Sequence, residues 1–172
     1  MGISFRLFGK RVRILLINTL LFTFLWAGST VWAGEKITVG FVEEVILLPW
    51  GIRIPARIDT GAATSSLDVR EITVKDKIVE FKLPEKYGGL AARLPLIGWK
   101  TVRSAEAKEE RPVVEIEMCL GSKRLRTLVN LNDRSRVTYP MLIGRNTLKN
   151  HFIVDCDKSY CTSPACPEVI SK

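Results

Sequence analysis

The stretch from Ala56 to Leu67, ARIDTGAATSSL, drives an apolar run straight into Asp-Thr-Gly and follows it with small and hydroxyl side chains. A carboxylate at the end of an apolar strand, followed by Thr60 and Gly61, sits where the backbone must turn sharply. Gly61 permits that turn, and the backbone N–H groups it exposes are suited to holding a carboxylate. A purely structural Asx-type turn would read the same way. Asp-Thr-Gly arises by chance in roughly one of a few tens of chains of this size, so the surroundings of the tripeptide must decide its meaning.

Those surroundings are rich in strand signals after residue 36. The runs ITVGFVEEVILL and IRIPARI are short and β-branched, punctuated by Pro49, Gly51 and Pro55. EITVKDKIVEFKL alternates apolar and polar residues about a turn at Lys75-Asp76, and PVVEIEMCL and RLRTLVNL flank a Gly-Ser-Lys turn at 121–123. Alternation of this kind marks antiparallel, half-buried sheet. Only Asn146 to Asn150 reads as a short helix, which makes the chain all-β with one short helix near its C-terminal end. Pro84 to Pro112 is the least regular stretch, with Gly88-Gly89, Gly98 and the charged EAKEER. It reads as a functional loop or a surface excursion.

The front of the chain has a different character. Arg6, Lys10, Arg11 and Arg13 precede the apolar run Ile14 to Trp26, which is followed by small residues and Val31-Trp32-Ala33. This order describes a secretory signal over residues 1–33, with cleavage after Ala33 and a mature domain at 34–172 in the periplasm. No Cys closes the segment as a lipoprotein signal would require. The alternative is an uncleaved inner-membrane anchor facing the periplasm, because Ile14 to Ala33 is long enough to cross a bilayer. Residues 1–33 hold four basic and no acidic side chains, so their removal lowers the net charge from +8 to +4. The remaining basic residues are scattered, with Lys123, Arg124 and Arg126 as the densest cluster, and no aromatic side chains are interleaved with them. A nucleic-acid platform needs both charge and stacking faces, so nucleic acid is not an expected partner.

Cys119, Cys156, Cys161 and Cys166 suit an exported chain in an oxidising compartment. The last three, with His151, Asp155 and Asp157 nearby, raise the thought of zinc, but zinc motifs pair ligands more closely and periplasmic thiol pairs oxidise. Disulfides are the expectation, and no metal. FIVDCDKSYCTS reads as a hairpin turning at Asp157-Lys158, which would set Cys156 opposite Cys161 and leave Cys119 for Cys166.

Eighty-five residues after Asp59, in YPMLIGRNTLKN, two apolar residues again enter a glycine turn: Leu142 and Ile143 lead into Gly144-Arg145-Asn146. The pairing of the two motifs resembles the retropepsins, the retroviral-type aspartic proteases. It is closer still to a bacterial family of retropepsin-like proteins that carries the label of ATP-dependent zinc proteases. The resemblance rests on GFVEEVILLPWGIRIPARIDTGAATSSL, on EERPVVEI and on LNDRSRVTYPMLIGRNTLKNHFIVD, and covers nearly all of residues 40–157. It departs from the family at Ala63, where a basic residue is usual, at Asp68, where a His is usual, and around Ala105 to Lys108, where an Asn-Gly is missing. These differences bear on substrate preference more than on fold. The label's zinc and ATP find no support: there is one His, no H-E-x-x-H and no Walker-type loop. No cofactor is expected.

The resemblance implies a closed β-barrel of acid-protease type and peptide hydrolysis by two carboxylates sharing a proton. One chain supplies one such residue, Asp59, so the second would come from Asp59 of a homodimer partner. Thr60 would then hydrogen-bond across the two-fold axis, Gly61 and Ala62 would leave room for the dyad and its water, and Ile143, Gly144, Arg145 and Asn146 would support the loop. A flap over a peptide or protein substrate would lie within Lys86 to Glu110. The competing expectation is a catalytically inactive periplasmic peptide-binding or adaptor protein on the same fold. A weaker one is a hydrolase of cell-wall or glutamate-rich peptides.

Overall fold

The computed structural model describes residues 35–48, 50–103 and 108–166, so the expectations for residues 1–33 lie outside the described part. Twelve strands dominate. Strands β1 (Ile37–Val39), β2 (Val42–Leu48), β3 (Ile52–Ile58) and β4 (Ser65–Asp68) come first. Next are β5 (Arg70–Lys75), β6 (Ile78–Lys82), β7 (Ala91–Pro95) and β8 (Gly98–Arg103). The last four are β9 (Lys108–Leu120), β10 (Lys123–Asn132), β11 (Met141–Ile143) and β12 (Phe152–Val154), with helix α1 (Arg145–Leu148) after β11.

Six strands close on themselves in the order β10-β4-β11-β3-β2-β9, with β9 pairing back to β10. This is the closed barrel of a retropepsin-like fold. Closure removes the free edges that an open sheet would leave. The alternation read in the sequence supplies the interior: Ile54, Ala56 and Ile58 of β3 face inward while Arg53 and Arg57 stay exposed. Leu47, Ile116, Met118, Leu120, Leu131 and Met141 join them as fully buried or nearly so.

The barrel's connectivity is what positions the two motifs. β11 runs parallel to β3 and antiparallel to β4, so it lies between them. Residues 59–64, which link β3 to β4, therefore cross the end of β11, just where Gly144 leaves it. No local pattern announces that crossing, because both parallel pairings, β11 with β3 and β10 with β4, join residues far apart in sequence.

Outside the barrel, β5, β6 and β7 form a three-stranded sheet. Its first turn falls at Asp76-Lys77, one residue later than the sequence suggested, and both residues have positive φ. That is the backbone demanded by a tight two-residue hairpin whose twist matches its strands. The stretch Pro84 to Pro112 is more regular than expected, since it contains β7, β8 and the start of β9. Pro95 and Gly98 look like strand breakers, but β7 and β8 are edge strands. There, a missing N–H or side chain is tolerated. The β8–β9 hairpin pairs Gly98 with Val113 and Arg103 with Lys108, and residues 104–107 lie outside the described part.

The C-terminal segment departs from the expected hairpin. β12 pairs in parallel with β1 and does not fold back on residues 159–162. Instead the chain runs alongside the start of β2, with Phe41 N–H donating to the Lys158 carbonyl and Tyr160 N–H to that of Val42. The cause is Glu43. Its carboxylate is completely buried and accepts from the N–H groups of Gly40, Cys161 and Thr162 and from the Thr162 hydroxyl. A buried carboxylate must be satisfied, and capturing these donors does so at the expense of a hairpin. Cys156 and Cys161 are accordingly exposed free thiols, contrary to the expected bridge between them. Cys119 and Cys166 are joined, with Cα atoms 5.8 Å apart.

Candidate active site

Asp59 follows the last residue of β3, and its N–H continues the parallel ladder by donating to the Ile143 carbonyl at 2.9 Å. The chain then turns. Asp59 Oδ1 accepts from the N–H of Gly61 at 2.9 Å and of Ala62 at 3.1 Å. Both bonds go to one oxygen, which leaves Oδ2 outside the clamp. A Cβ on Gly61 would stand 3.1 Å from Oδ1, so the glycine keeps the space beside the carboxylate open.

The second motif holds the loop from behind. Arg145 Nη1 donates to the carbonyls of Thr60 at 2.8 Å and Gly61 at 2.6 Å. The first N–H groups of α1, which have no partner inside the helix, reach the same loop: Arg145 N–H donates to Ala62 and Asn146 N–H to Ala63. Gly144 is required on steric grounds. A Cβ there would lie 2.7 Å from the Thr64 carbonyl carbon and 3.0 Å from the Ala62 oxygen. Ile143 is fully buried beneath the turn.

Beneath the loop lies a polar network of which the sequence reading names only Asn146. Ser65 and Thr147 are buried; their hydroxyls are 2.7 Å apart, and Thr127 continues the chain 2.8 Å from Thr147. Asn146 Oδ1 accepts from Ser65, and its Nδ2 donates to the Thr127 hydroxyl and the Leu128 carbonyl. The visible clue was the hydroxyl run Thr64-Ser65-Ser66. What could not be read was that β4 is fully buried over its four residues, with the Ser65 hydroxyl bonded towards Asn146 and Thr147 and that of Ser66 to Asn130 and Asn132.

Two concavities flank this centre. One, of about 460 Å³, is lined by Phe41, Arg57, Ile58, Asp59, Thr60, Val154 and Cys156. The other, of about 500 Å³, is lined by Arg111 and by the loop after β10, including Arg134 and Arg136. Burial pushes the Arg134 guanidinium below its ordinary pKa, opposed by the negative charge of Asp68; the Arg111 cation adds a smaller lowering and the Asp59 carboxylate a smaller raising. Arg134 thus lies within the electrostatic field of Asp59. These arginines were not singled out in the sequence, where they read as ordinary surface charge. Among the described residues, no group of three or more His, Cys, Asp or Glu side chains is placed to hold a metal ion.

The comparisons agree with this geometry. The family model described as retropepsin-like aspartic endopeptidase RimB matches residues 38–165, and the chain belongs to that RimB-like family. A protein of unknown function (DUF785) from Legionella pneumophila subsp. pneumophila str. Philadelphia 1 has a similar crystal structure. It superposes with a TM-score of 0.66 at 30% identity, covering 75% of this chain and all of that one. A probable alpha-L-glutamate ligase from Shewanella pealeana (strain ATCC 700345 / ANG-SQ1) is 26% identical over 137 residues, 74% of this chain and 30% of the ligase. Another, from Parasynechococcus marenigrum (strain WH8102), is 29% identical over 138 residues, 73% of this chain and 29% of the ligase. This chain therefore spans less than a third of the curated relatives it matches.

Proposed function

We propose that the chain is an exported retropepsin-type aspartic endopeptidase, active as a homodimer in which the Asp59 carboxylates of two subunits form the catalytic dyad. The observation that carries this reading is the clamp at Asp59: a half-buried carboxylate, fixed through Oδ1 by two N–H groups, on a loop pinned by Arg145. A structural turn needs the Oδ1 bonds but has no need of Arg145 and a helix behind it.

Two carboxylates brought together at a two-fold axis cannot both ionise easily, so the pair shares one proton. The charged member takes a proton from water as the water oxygen attacks the peptide carbonyl carbon. The protonated member gives its proton to the carbonyl oxygen. As the C–N bond of the resulting gem-diol breaks, one of its hydroxyl protons goes to the charged member and the protonated member gives its proton to the departing amine, so the dyad again holds one proton. Thr60 would donate across the axis, and the β8–β9 hairpin would cover the peptide and exclude water.

For the substrate, Arg111, Arg134 and Arg136 favour peptides with acidic side chains. The names of the relatives, probable alpha-L-glutamate ligases, point to glutamate as well. Incubation of the purified protein with glutamate-rich and glutamine-rich peptides, followed by mass spectrometry, tests the reading. Cleavage of the glutamate-rich peptide by wild type and not by Asp59→Asn is expected. Binding without cleavage would favour the inactive adaptor. Export is tested separately by N-terminal sequencing, with a mature end at or near Gly34 expected, whereas Met1 on membrane-embedded protein would favour the anchor.

A further inference from the structure

We infer that Asp68, acting with Arg70, is a positioning residue that presents Arg134 to an acidic ligand; this rests on the acidic-peptide reading above. Asp68 ends β4, and its side chain is only 3% exposed. Its Oδ1 accepts from the backbone N–H of Arg134 and from Arg70 Nη1, both at 2.5 Å, while Oδ2 accepts from Arg70 Nη2 at 3.3 Å. One buried carboxylate therefore fastens the loop after β10 to the barrel wall.

Arg70 also reaches the other carboxylate of the region. Its Nη1 is 3.3 Å from Asp133 Oδ1, and the same Asp133 oxygen accepts from Ser135 N–H at 2.8 Å. Both acids adjoining Arg134 are thus committed elsewhere: Asp68 to Arg70 and a backbone N–H, Asp133 to Arg70 and its own turn. The guanidinium of Arg134 is left without either. Its Nε is buried and has no hydrogen-bond partner among the described residues, while the Arg134 side chain as a whole lines the same concavity as Arg111 and Arg136. A buried N–H of a cation is costly to leave unsatisfied; an incoming carboxylate that draws the half-buried Arg134 side chain towards the concavity satisfies it with charge assistance. Arg70 acts as an internal counter-ion that keeps Asp68 and Asp133 from occupying Arg134 themselves. Removing its charge would free Asp133, 62% exposed at the side chain, to pair within its own loop.

The test uses the full chain carrying Asp59→Asn, so that binding is read without turnover. Tetraglutamate and tetraglutamine are titrated calorimetrically into this parent and into versions that also carry Asp68→Asn, Arg70→Gln or Arg134→Gln. The parent should prefer tetraglutamate, and Asp68→Asn and Arg70→Gln should each reduce that preference about tenfold while leaving tetraglutamine binding unchanged. Hydrogen exchange at the Arg134 amide should accelerate in Asp68→Asn, a change that a loss of net charge alone would not produce. Should Arg134→Gln abolish the preference while Asp68→Asn and Arg70→Gln retain it, the acidic subsite stands and the positioning role falls. A parent with no preference for tetraglutamate defeats both. Equal loss of both peptides would also overturn the inference, since it signals general damage to the groove. If Asp68→Asn does not fold, Arg70→Gln alone decides, because Arg70 is one-third exposed and the Asp68 carboxylate still accepts from the Arg134 N–H after its replacement.

Discussion

Asn146 Oδ1 accepts two hydrogen bonds from Ser65, one from its N–H at 2.9 Å and one from its hydroxyl at 3.1 Å. Two residues 81 apart in the chain thereby share a single oxygen, and the helix behind the Asp59 loop is tied to the strand that follows it. The other end of the amide donates to Thr127 and Leu128, so both polar atoms of the Asn146 side chain are used in a fixed sense. Asn146→Asp keeps the shape and the acceptor towards Ser65 but sets an oxygen against the Leu128 carbonyl. The expected cost is about 1 to 2 kcal/mol of stability, from the lost donor to the Leu128 carbonyl and the repulsion between the two oxygens. Urea denaturation measures it, and a change below about 0.5 kcal/mol would mean that the network is not cooperative.

Arg145 makes a second tie, and its removal should separate stability from activity. Arg145→Met preserves the aliphatic length while freeing the carbonyls of Thr60 and Gly61, which are exposed and can turn to water. Stability should therefore fall by only about 1 to 2 kcal/mol. Turnover should fall by about tenfold or more, because a catalytic carboxylate displaced by a fraction of an ångström loses its alignment. Thermal unfolding and kcat measured on the same preparation check both halves.

Much of this site was open to sequence reading because its two motifs are local. Asp59 at the end of an alternating strand, and Gly144 between Ile143 and a helix start, each declare a turn by residue type alone. The closed barrel followed from resemblance and not from alternation, since the parallel registers of β11 and β10 join distant segments. What escaped notice shares one physical cause. Glu43, Asp68 and Arg134 are charged residues whose types predict exposure, and only the fold shows that Glu43 is fully buried and Asp68 nearly so. The same blindness produced the mistaken hairpin at Asp157-Lys158, because nothing beside Cys161 reveals that its N–H donates to a glutamate 118 residues earlier.

The C-terminal strap offers a direct measurement of that correction. Alkylation under denaturing, non-reducing conditions should label two thiols, Cys156 and Cys161, and leave Cys119 and Cys166 unmodified. Paired replacement of Cys119 and Cys166 by Ala opens a covalent loop with a sequence separation of 47 residues. Stability should drop by about 2 to 4 kcal/mol. The Glu43 bonds to Cys161 and Thr162 remain, so the strap should stay docked, with the Cys161 amide still protected from exchange. Four labelled thiols in protein taken directly from cells would contradict the bridge.

The shared dyad is tested most sharply by mixing subunits. If the dyad proposed above is right, a chain that contributes one Asp59 borrows its second carboxylate, and activity belongs to pairs and not to chains. Asp59→Asn preserves the side-chain shape and can still accept from Gly61 and Ala62, so fold and dimer should persist while cleavage is lost. When equal amounts of wild-type and Asp59→Asn subunits are denatured together and refolded, random pairing leaves roughly one quarter of the dimers with two aspartates. The mixture should then show about one quarter of the activity of the same total amount of wild-type protein, with sedimentation confirming dimers. Independent sites in each subunit would retain about one half, an outcome that would reject the dyad while leaving Asp59 catalytic. Undiminished activity would remove Asp59 from the chemistry altogether and transfer attention to the arginine-lined concavity.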